Sequence, residues 1–352
     1  MIAWRPTACL VLTVLLCVLR PARVETNDAA VETAVGGLQL RDERRVSIRK
    51  ERLYIKKQFV RRVPSNLPNL ENKYPVIVEY DFVNESTEDV TTEVAFPLPE
   101  FSYSWQNDLI QDRRVRGFKV EVHGKVVPYA TEVRAKAGGR DVTDLLRGAG
   151  IEIESFGRFK RRGPSWDQVD GLPKEMQARL KAAGAVDDDL VPRWGVAITY
   201  HWKQTFPVGK VVRVRHEYDA IPGFSYGYEA RRYLSGLKDG CFDAGLIRGL
   251  EAAQARAPQL NANVAIEGDW VKYILTTANT WKMPIREFEL IVEKPEGHFV
   301  SFCWGGKLEK LSNTRLRATA HDFAPNRELL VYFFTVDDDQ GKRVQGKFVV
   351  IH

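Results

Sequence analysis

Cysteine is scarce in this chain, four in 352 residues, and the two that lie far from the start, Cys241 and Cys303, have no second cysteine or histidine at C-x-x-C spacing. That argues against a structural zinc site. The acidic runs Asp187–Asp189 and Asp337–Asp339 lack the alternating Asp-x-Asp-x-Asp-Gly spacing that lets carboxylates converge on calcium, so they read as solvated turns. With no metal spacing and no cofactor fingerprint, neither is expected. Positive charge is not gathered into a stripe, which disfavours nucleic acid as a partner. After residue 19 no apolar run is long enough to cross a bilayer, so no transmembrane segment is expected. There is no internal repeat beyond two aromatic–proline pairs, Phe96-Pro97 and Phe206-Pro207.

What is present is the composition of an ordinary globular protein, 44% hydrophobic and 28% charged, long enough to bury one large core or two smaller ones. Met1–Pro6 carries one positive charge and Thr7–Leu19 is almost wholly apolar. About a dozen apolar residues suit the core of a signal peptide rather than a membrane span. Cleavage is expected near Thr26–Asn27, followed by a soluble life in the periplasm. Cys17 follows Leu15-Leu16 rather than small residues, which speaks against a lipid anchor. Loss of Met1–Thr26 removes three arginines and one glutamate and takes the formal charge from +6 to +4. Such a mixed surface can be merely solvated or weakly drawn to anionic envelope polymers. It also leaves Cys241 and Cys303 as a pair, 62 positions apart. In an oxidising compartment an even pair implies a disulfide, with two buried thiols as the alternative.

The clearest pattern is Val76–Pro99. Val76, Val78, Tyr80 and Phe82 share one face; Val90, Thr92, Val94, Phe96 and Leu98 repeat the alternation after a polar link. Two such runs read as an antiparallel hairpin, ended by Pro97 and Pro99. Strands are also expected around Leu38-Gln39-Leu40, Leu53-Tyr54-Ile55 and Phe118–Val122, the last followed by a two-residue turn at His123-Gly124. Val196–Trp202 and Val212–Tyr218 continue the pattern, as do Val271–Leu275, Phe288–Val292, Phe299–Trp304, Leu316–Ala320 and Phe348–Ile351. Leu329–Val336 is apolar on both faces, as in a strand covered on both sides. Between Ala135 and Leu190 the period changes: a short helix near Leu145-Leu146, then a longer one at Pro173–Ala183 ended by Gly184. Asp243 can cap a further helix through about Arg256. The fold class expected is mainly β, a sandwich-like antiparallel architecture with a helical insertion and one further helix. Its divisions are a signal peptide (1–26), an N-terminal β region (27–134), the insertion (135–190) and a C-terminal β region (191–352) packed with the first as one unit.

Gly223-Phe224-Ser225-Tyr226-Gly227 matches the G-x-S-x-G of a nucleophile elbow, with Asp243 and His298 or His321 available as partners. Its antiparallel surroundings favour a glycine-rich loop instead. His216, on an apolar face, reads as a core histidine and His201 as a surface residue; the pattern does not bring them together. Phe101, Tyr103 and Trp105, and separately Phe224, Tyr226, Tyr228 and Tyr233, can either stack on sugar rings or plug the ends of a sandwich.

Taken together, a series of short motifs resembles a family of exported bacterial proteins known as domain of unknown function 4424. They are Gly36-Gly37-Leu38, Phe82-x-Asn84-x-Ser86 with Asp89, Phe96-Pro97-Leu98-Pro99, Asp141-Val142-Thr143 and Tyr200-x-Trp202-x-Gln204-x-Phe206-Pro207. Val214-x-His216-x-Tyr218, Cys241, Ser301-Phe302-Cys303 and Asp322-Phe323-x-Pro325 complete the series. The Phe-Pro-Leu-Pro stretch is also similar to the β-sandwich domains that precede von Willebrand modules in inter-alpha-trypsin inhibitors. Neither resemblance brings a catalytic residue. The function expected is a non-catalytic binding or structural protein of the cell envelope, its partner an envelope protein or glycan. The alternatives are a hydrolase acting through Ser225 and a peptidoglycan binder using Tyr103 and Trp105.

Overall fold

A computed structural model describes residues 29–34, 37–61, 70–102, 117–156, 167–256 and 264–337. The chain opens with the antiparallel pair β1 (Ala29–Ala34) and β2 (Gly37–Leu40), then β3 (Glu43–Lys56), whose fourteen residues make it the spine of the molecule. A small pair, β4 (Gln58–Arg61) and β5 (Leu70–Lys73), leads into β6 (Pro75–Asn84), β7 (Val90–Pro97) and β8 (Phe101–Ser102). The tight turn expected at His123-Gly124 joins β9 (Lys119–Val122) to β10 (Lys125–Val126); both turn residues have positive φ, 51° and 76°, as a two-residue hairpin loop requires. Next come β11 (Ala130–Ala137), β12 (Arg140–Asp141) and the helices α1 (Thr143–Gly148), α2 (Asp167–Asp170) and α3 (Lys174–Ala182). The remainder runs β13 (Gly195–Phe206), β14 (Val211–Asp219), β15 (Gly223–Gly227), α4 (Ala230–Ser235), α5 (Ala244–Arg256) and β16 (Ala265–Tyr273). Last are β17 (Trp281–Lys282), β18 (Ile285–Glu293), β19 (Phe299–Ser301), β20 (Lys307–Lys310), β21 (Arg315–Phe323) and β22 (Leu329–Asp337). The expected strand at Phe348–Ile351 lies outside the described residues.

The fold is mainly β, with sheets packed face to face. One sheet runs β12-β11-β13-β7-β1-β2, with β8 added to β13. The second runs β10-β9-β14-β6-β3-β18-β21-β20, with β17 beside β3. Their inward residues, Phe82, Val94, Phe96, Phe206 and Val214 among them, close a single core. A third sheet, β15-β16-β22-β19, contributes Val271, Tyr273, Val331 and Phe333 to that core from one face. Its other face, with Ile266, Tyr332, Phe334 and Val336, is covered by α4 and α5. That is why β22 is apolar from Leu329 to Phe334: alternate residues enter two different cores. Asp243 Oδ1 accepts the backbone N–H of Leu246 at 2.8 Å and caps α5 as its spacing predicts.

The Val76–Pro99 stretch is not a hairpin. β6 pairs with β3 and β14, whereas β7 pairs with β1 and β13 in the opposite sheet. The link between them is an arch that carries the chain across the sandwich, and β13 and β14 are joined by a second arch beside it. Alternation reports that each strand has one buried face, and two strands facing each other across a core satisfy it as well as two lying side by side. Five polar residues, Glu85–Asp89, are also more than a two-residue hairpin turn needs. Pro97 does end β7, as a residue with no backbone donor should.

One further departure joins the two halves of the chain. β18 pairs with β3 in parallel from Glu287↔Lys50 to Glu293↔Lys56, so N- and C-terminal strands share one continuous sheet.

Candidate functional site

Most of the sequence motifs build structure. Asn84 is fully buried; its Nδ2 donates to the carbonyls of Glu88 and Phe206, both at 2.8 Å, and its Oδ1 accepts from the Ser86 N–H and hydroxyl. Asp89 Oδ1 accepts the Val208 N–H at 3.0 Å, so Asn84, Ser86 and Asp89 stitch the two arches together. Asp141 Oδ1 accepts the Thr143 N–H, and the Thr143 hydroxyl accepts the Ala135 N–H, tying α1 to β11. Cys241 and Cys303 form the expected disulfide, Cα to Cα 5.0 Å.

The expected catalytic combinations do not assemble. Ser225 lies in the middle of edge strand β15 rather than at a strand-to-helix turn, and its hydroxyl shares a hydrogen bond with Tyr233 Oη at 2.9 Å. Asp243 is held as a helix cap, His321 pairs opposite Glu287 in another sheet, and His298 is buried beside Phe59. His216 is fully buried among Tyr80, Phe96, Phe118 and Trp202, with the Phe96 ring 4.8 Å away. His201 is half-buried rather than a plain surface residue: its Nδ1 lies 2.7 Å from Glu93 Oε1 across the β13–β7 pair. Among the described residues no three His, Cys, Asp or Glu side chains gather as a metal site.

Two further polar clusters are structural ties. Lys57 and Asp269 form a buried ion pair between the end of β3 and β16. Tyr273 Oη donates to Glu51 Oε1 at 3.3 Å and lies 2.9 Å from Tyr80 Oη, which joins β16 to β3 and β6; burial holds the Tyr273 hydroxyl well above its ordinary pKa. The outer face of the nine-stranded sheet carries a lattice of opposite charges. Glu289 accepts from Arg52 at 2.5 Å and Arg317 at 2.7 Å, and Glu293 from Tyr54, Arg315 and Lys56. Partial burial pushes the Glu293 carboxyl up, but the bonds from Tyr54, Arg315 and Lys56 outweigh it and hold the pKa down to about 2. These charges pair with one another across neighbouring strands.

A different arrangement occupies the junction of the sheets. Where the chain passes from β7 to β8 at Leu98–Ser102, where it passes from β14 to β15 at Tyr218–Gly223, and where β16 runs by with Trp270 and Lys272, a cleft of about 200 Å³ remains. Alternation on β16 turns Asp269, Val271 and Tyr273 inward and leaves Trp270 and Lys272 half-buried on the opposite side. Two glycines lie against the walls. A Cβ on Gly223 would lie 2.0 Å from the Trp270 ring, and one on Gly195 would lie 2.0 Å from Glu100 Oε1. The indole rests where any residue but glycine would intrude, whereas the Glu100 carboxylate is the far end of an exposed side chain that can swing aside. Phe101, Pro99 and Pro222 complete an apolar lining, while Glu100, Ser102 and Lys272 supply the polar groups. Apolar walls with a few convergent polar groups are the usual composition of a small-molecule site.

The sequence matches the family described as domain of unknown function DUF4424 over residues 26–332. The chain belongs to this family. No curated protein matches it. Among solved structures, this DUF4424 protein is similar to a provisionally named nutrient binding protein from Legionella pneumophila at 14% identity and a TM-score of 0.40, covering 88% of this chain and 70% of that one. It is also similar to the M1 zinc metallopeptidase from Deinococcus radiodurans at 11% identity and a TM-score of 0.31, covering 83% of this chain and 43% of the other.

Of the aromatic residues singled out by sequence, Phe101 lines the cleft and Tyr103 and Trp105 lie outside the described residues. Tyr233 is on the buried face of α4, while Tyr226 and Tyr228 are exposed on β15 and just beyond it, edge to face at 6.0 Å. Glu100, Trp270 and Lys272 are absent from the sequence reading. The alternation on β16 places Trp270 and Lys272 on one face, but nothing local shows that Pro99–Ser102 will meet them.

Proposed function

We propose that this DUF4424 protein is a non-catalytic binding protein of the bacterial cell envelope, working in the periplasm, and that the cleft at the sheet junction receives its ligand. The observation that carries this reading is the cleft itself, an indole-lined recess that depends on Gly223 beside the Trp270 ring, in a molecule whose buried polar clusters described above serve as internal ties. The apolar leader, the disulfide and a family match that starts at residue 26, beside the expected cleavage point, support the location. At about 200 Å³ the cleft is smaller than the roughly 300–1,000 Å³ of drug-sized pockets, which favours a small solute over a polymer.

The purified mature protein, screened by thermal shift against fractions of periplasmic small molecules, should be stabilised by at least one fraction, and Trp270→Ala should abolish that shift. Full retention of the shift in the alanine variant would remove the cleft from consideration. Osmotic-shock fractionation with thiol alkylation tests the location: recovery in the cytoplasm with two alkylatable thiols would exclude the periplasm. A serine-reactive probe should leave Ser225 unlabelled; labelling lost in Ser225→Ala would turn the reading towards a hydrolase.

A further inference from the structure

On the outer sheet face many charges are paired across neighbouring strands, and Asp269, next to Trp270 on β16, is paired with Lys57. In the cleft, Glu100 and Lys272 make no ion pair among the described residues, with each other or with a third group, although both line the same recess. One carboxylate and one ammonium therefore stand apart on a wall that also presents the Trp270 indole, the Phe101 ring and two prolines.

We propose that the cleft is a recognition site for a small zwitterion of the amino-acid type, its carboxylate met by Lys272, its ammonium by Glu100 and its apolar side chain laid against Trp270 and Phe101. This rests on the reading of the cleft as the ligand site and adds the chemistry of the occupant. Each simpler ligand leaves a mismatch. A plain anion satisfies Lys272 but brings like charge to Glu100, and a plain cation does the reverse. A neutral sugar can stack on the indole, yet it covers two charges without neutralising either, and partial desolvation of an unmatched charge is unfavourable. Only a ligand carrying both signs, with an apolar part between or beside them, matches the whole lining. The volume agrees, since it admits a molecule of amino-acid size and leaves little room for a longer chain.

Isothermal titration of the full mature protein with L-phenylalanine, L-leucine, phenethylamine, 3-phenylpropionate and glucose tests this. Phenylalanine or leucine should bind, and phenethylamine and 3-phenylpropionate should each bind roughly 10- to 100-fold more weakly than phenylalanine, for loss of one charged hydrogen-bonding group. Lys272→Met should lose that factor for phenylalanine and leave phenethylamine unchanged; Glu100→Gln should do the same with 3-phenylpropionate as the unchanged probe. Both side chains are at least partly exposed, so these variants keep the fold. Glucose, or either singly charged analogue, binding as tightly as phenylalanine would overturn the zwitterion while the cleft stays the ligand site, provided Trp270→Ala abolishes that binding. If none of the five probes binds, the zwitterion proposal fails; the periplasmic-fraction screen then decides separately whether the cleft binds anything else.

Discussion

At the scale of single residues, Lys294 is a cation whose position works against it. Lys294 is 5% exposed; burial, helped by the like charge of Lys310, brings its pKa down from 10.5 to about 7, and its Nζ donates to the carbonyl of His298. Between pH 7 and 10.5 the unfolded chain keeps this proton and the folded chain does not, so stability should rise with pH through that window; below pH 7 both states hold it and the whole penalty is present. Lys294→Met keeps the length of the side chain and removes the charge. It is expected to stabilise the protein by about 1–3 kcal/mol at pH 6, by analogy with buried charges replaced by apolar residues, with the gain shrinking towards pH 10. Urea midpoints at the two pH values measure this; an equal gain at both would show that burial of the charge is not the cause. Residue-scale features of this kind were hidden from the sequence, because a lysine after a strand is ordinarily a surface residue and only packing reveals otherwise.

At the scale of elements, the strands were legible and their partners were not. Val212, Val214 and Tyr218 alternate inward as read, α3 ends at Gly184 with φ of 71°, and β22 is covered on both faces. The sequence around the arch between β6 and β7 reads as a hairpin because period-2 alternation reports a buried face and not a neighbour. The residues that make the arch, Asn84 with Ser86 and Asp89, were noticed as motif and not as geometry, since their partners at Phe206 and Val208 lie some 120 positions away in the chain. Asn84→Ala removes four side-chain hydrogen bonds at a fully buried position and leaves the Phe206 carbonyl without its donor. The expected loss is about 2–4 kcal/mol, read as a lower urea midpoint with an unchanged m-value. A loss below about 0.5 kcal/mol would mean that the two arches hold together without it.

At the scale of the whole molecule, the parallel pairing of β3 with β18 makes the halves interdependent. A chain ending at Asp219 would expose one long edge of β3 and uncover Glu51 and Tyr80, which in the complete protein lie beneath Tyr273. Such a fragment is expected not to fold: it should show no cooperative thermal transition, whereas the complete chain should unfold in a single one. A cooperative transition in the fragment would show that the first sheet and the β10-β9-β14-β6-β3 part of the second form an independent unit.

The sequence by itself determined that the protein is mainly β, which face of β6, β7 and β14 is buried, where α3 stops and α5 is capped, and that Cys241 and Cys303 are the pair to expect. All of these follow from spacing within one stretch or from elimination among few residues. Helices α2 and α4 were not legible in the sequence. Tertiary structure alone decided which strands sit side by side, that the first and last thirds of the chain share a sheet, and that Glu100, Trp270 and Lys272 converge on one recess. The physical reason is range: alternation, capping and turn chemistry act over a few residues, whereas the cleft exists only where three distant backbone segments meet, with Gly223 at the closest approach to the Trp270 ring.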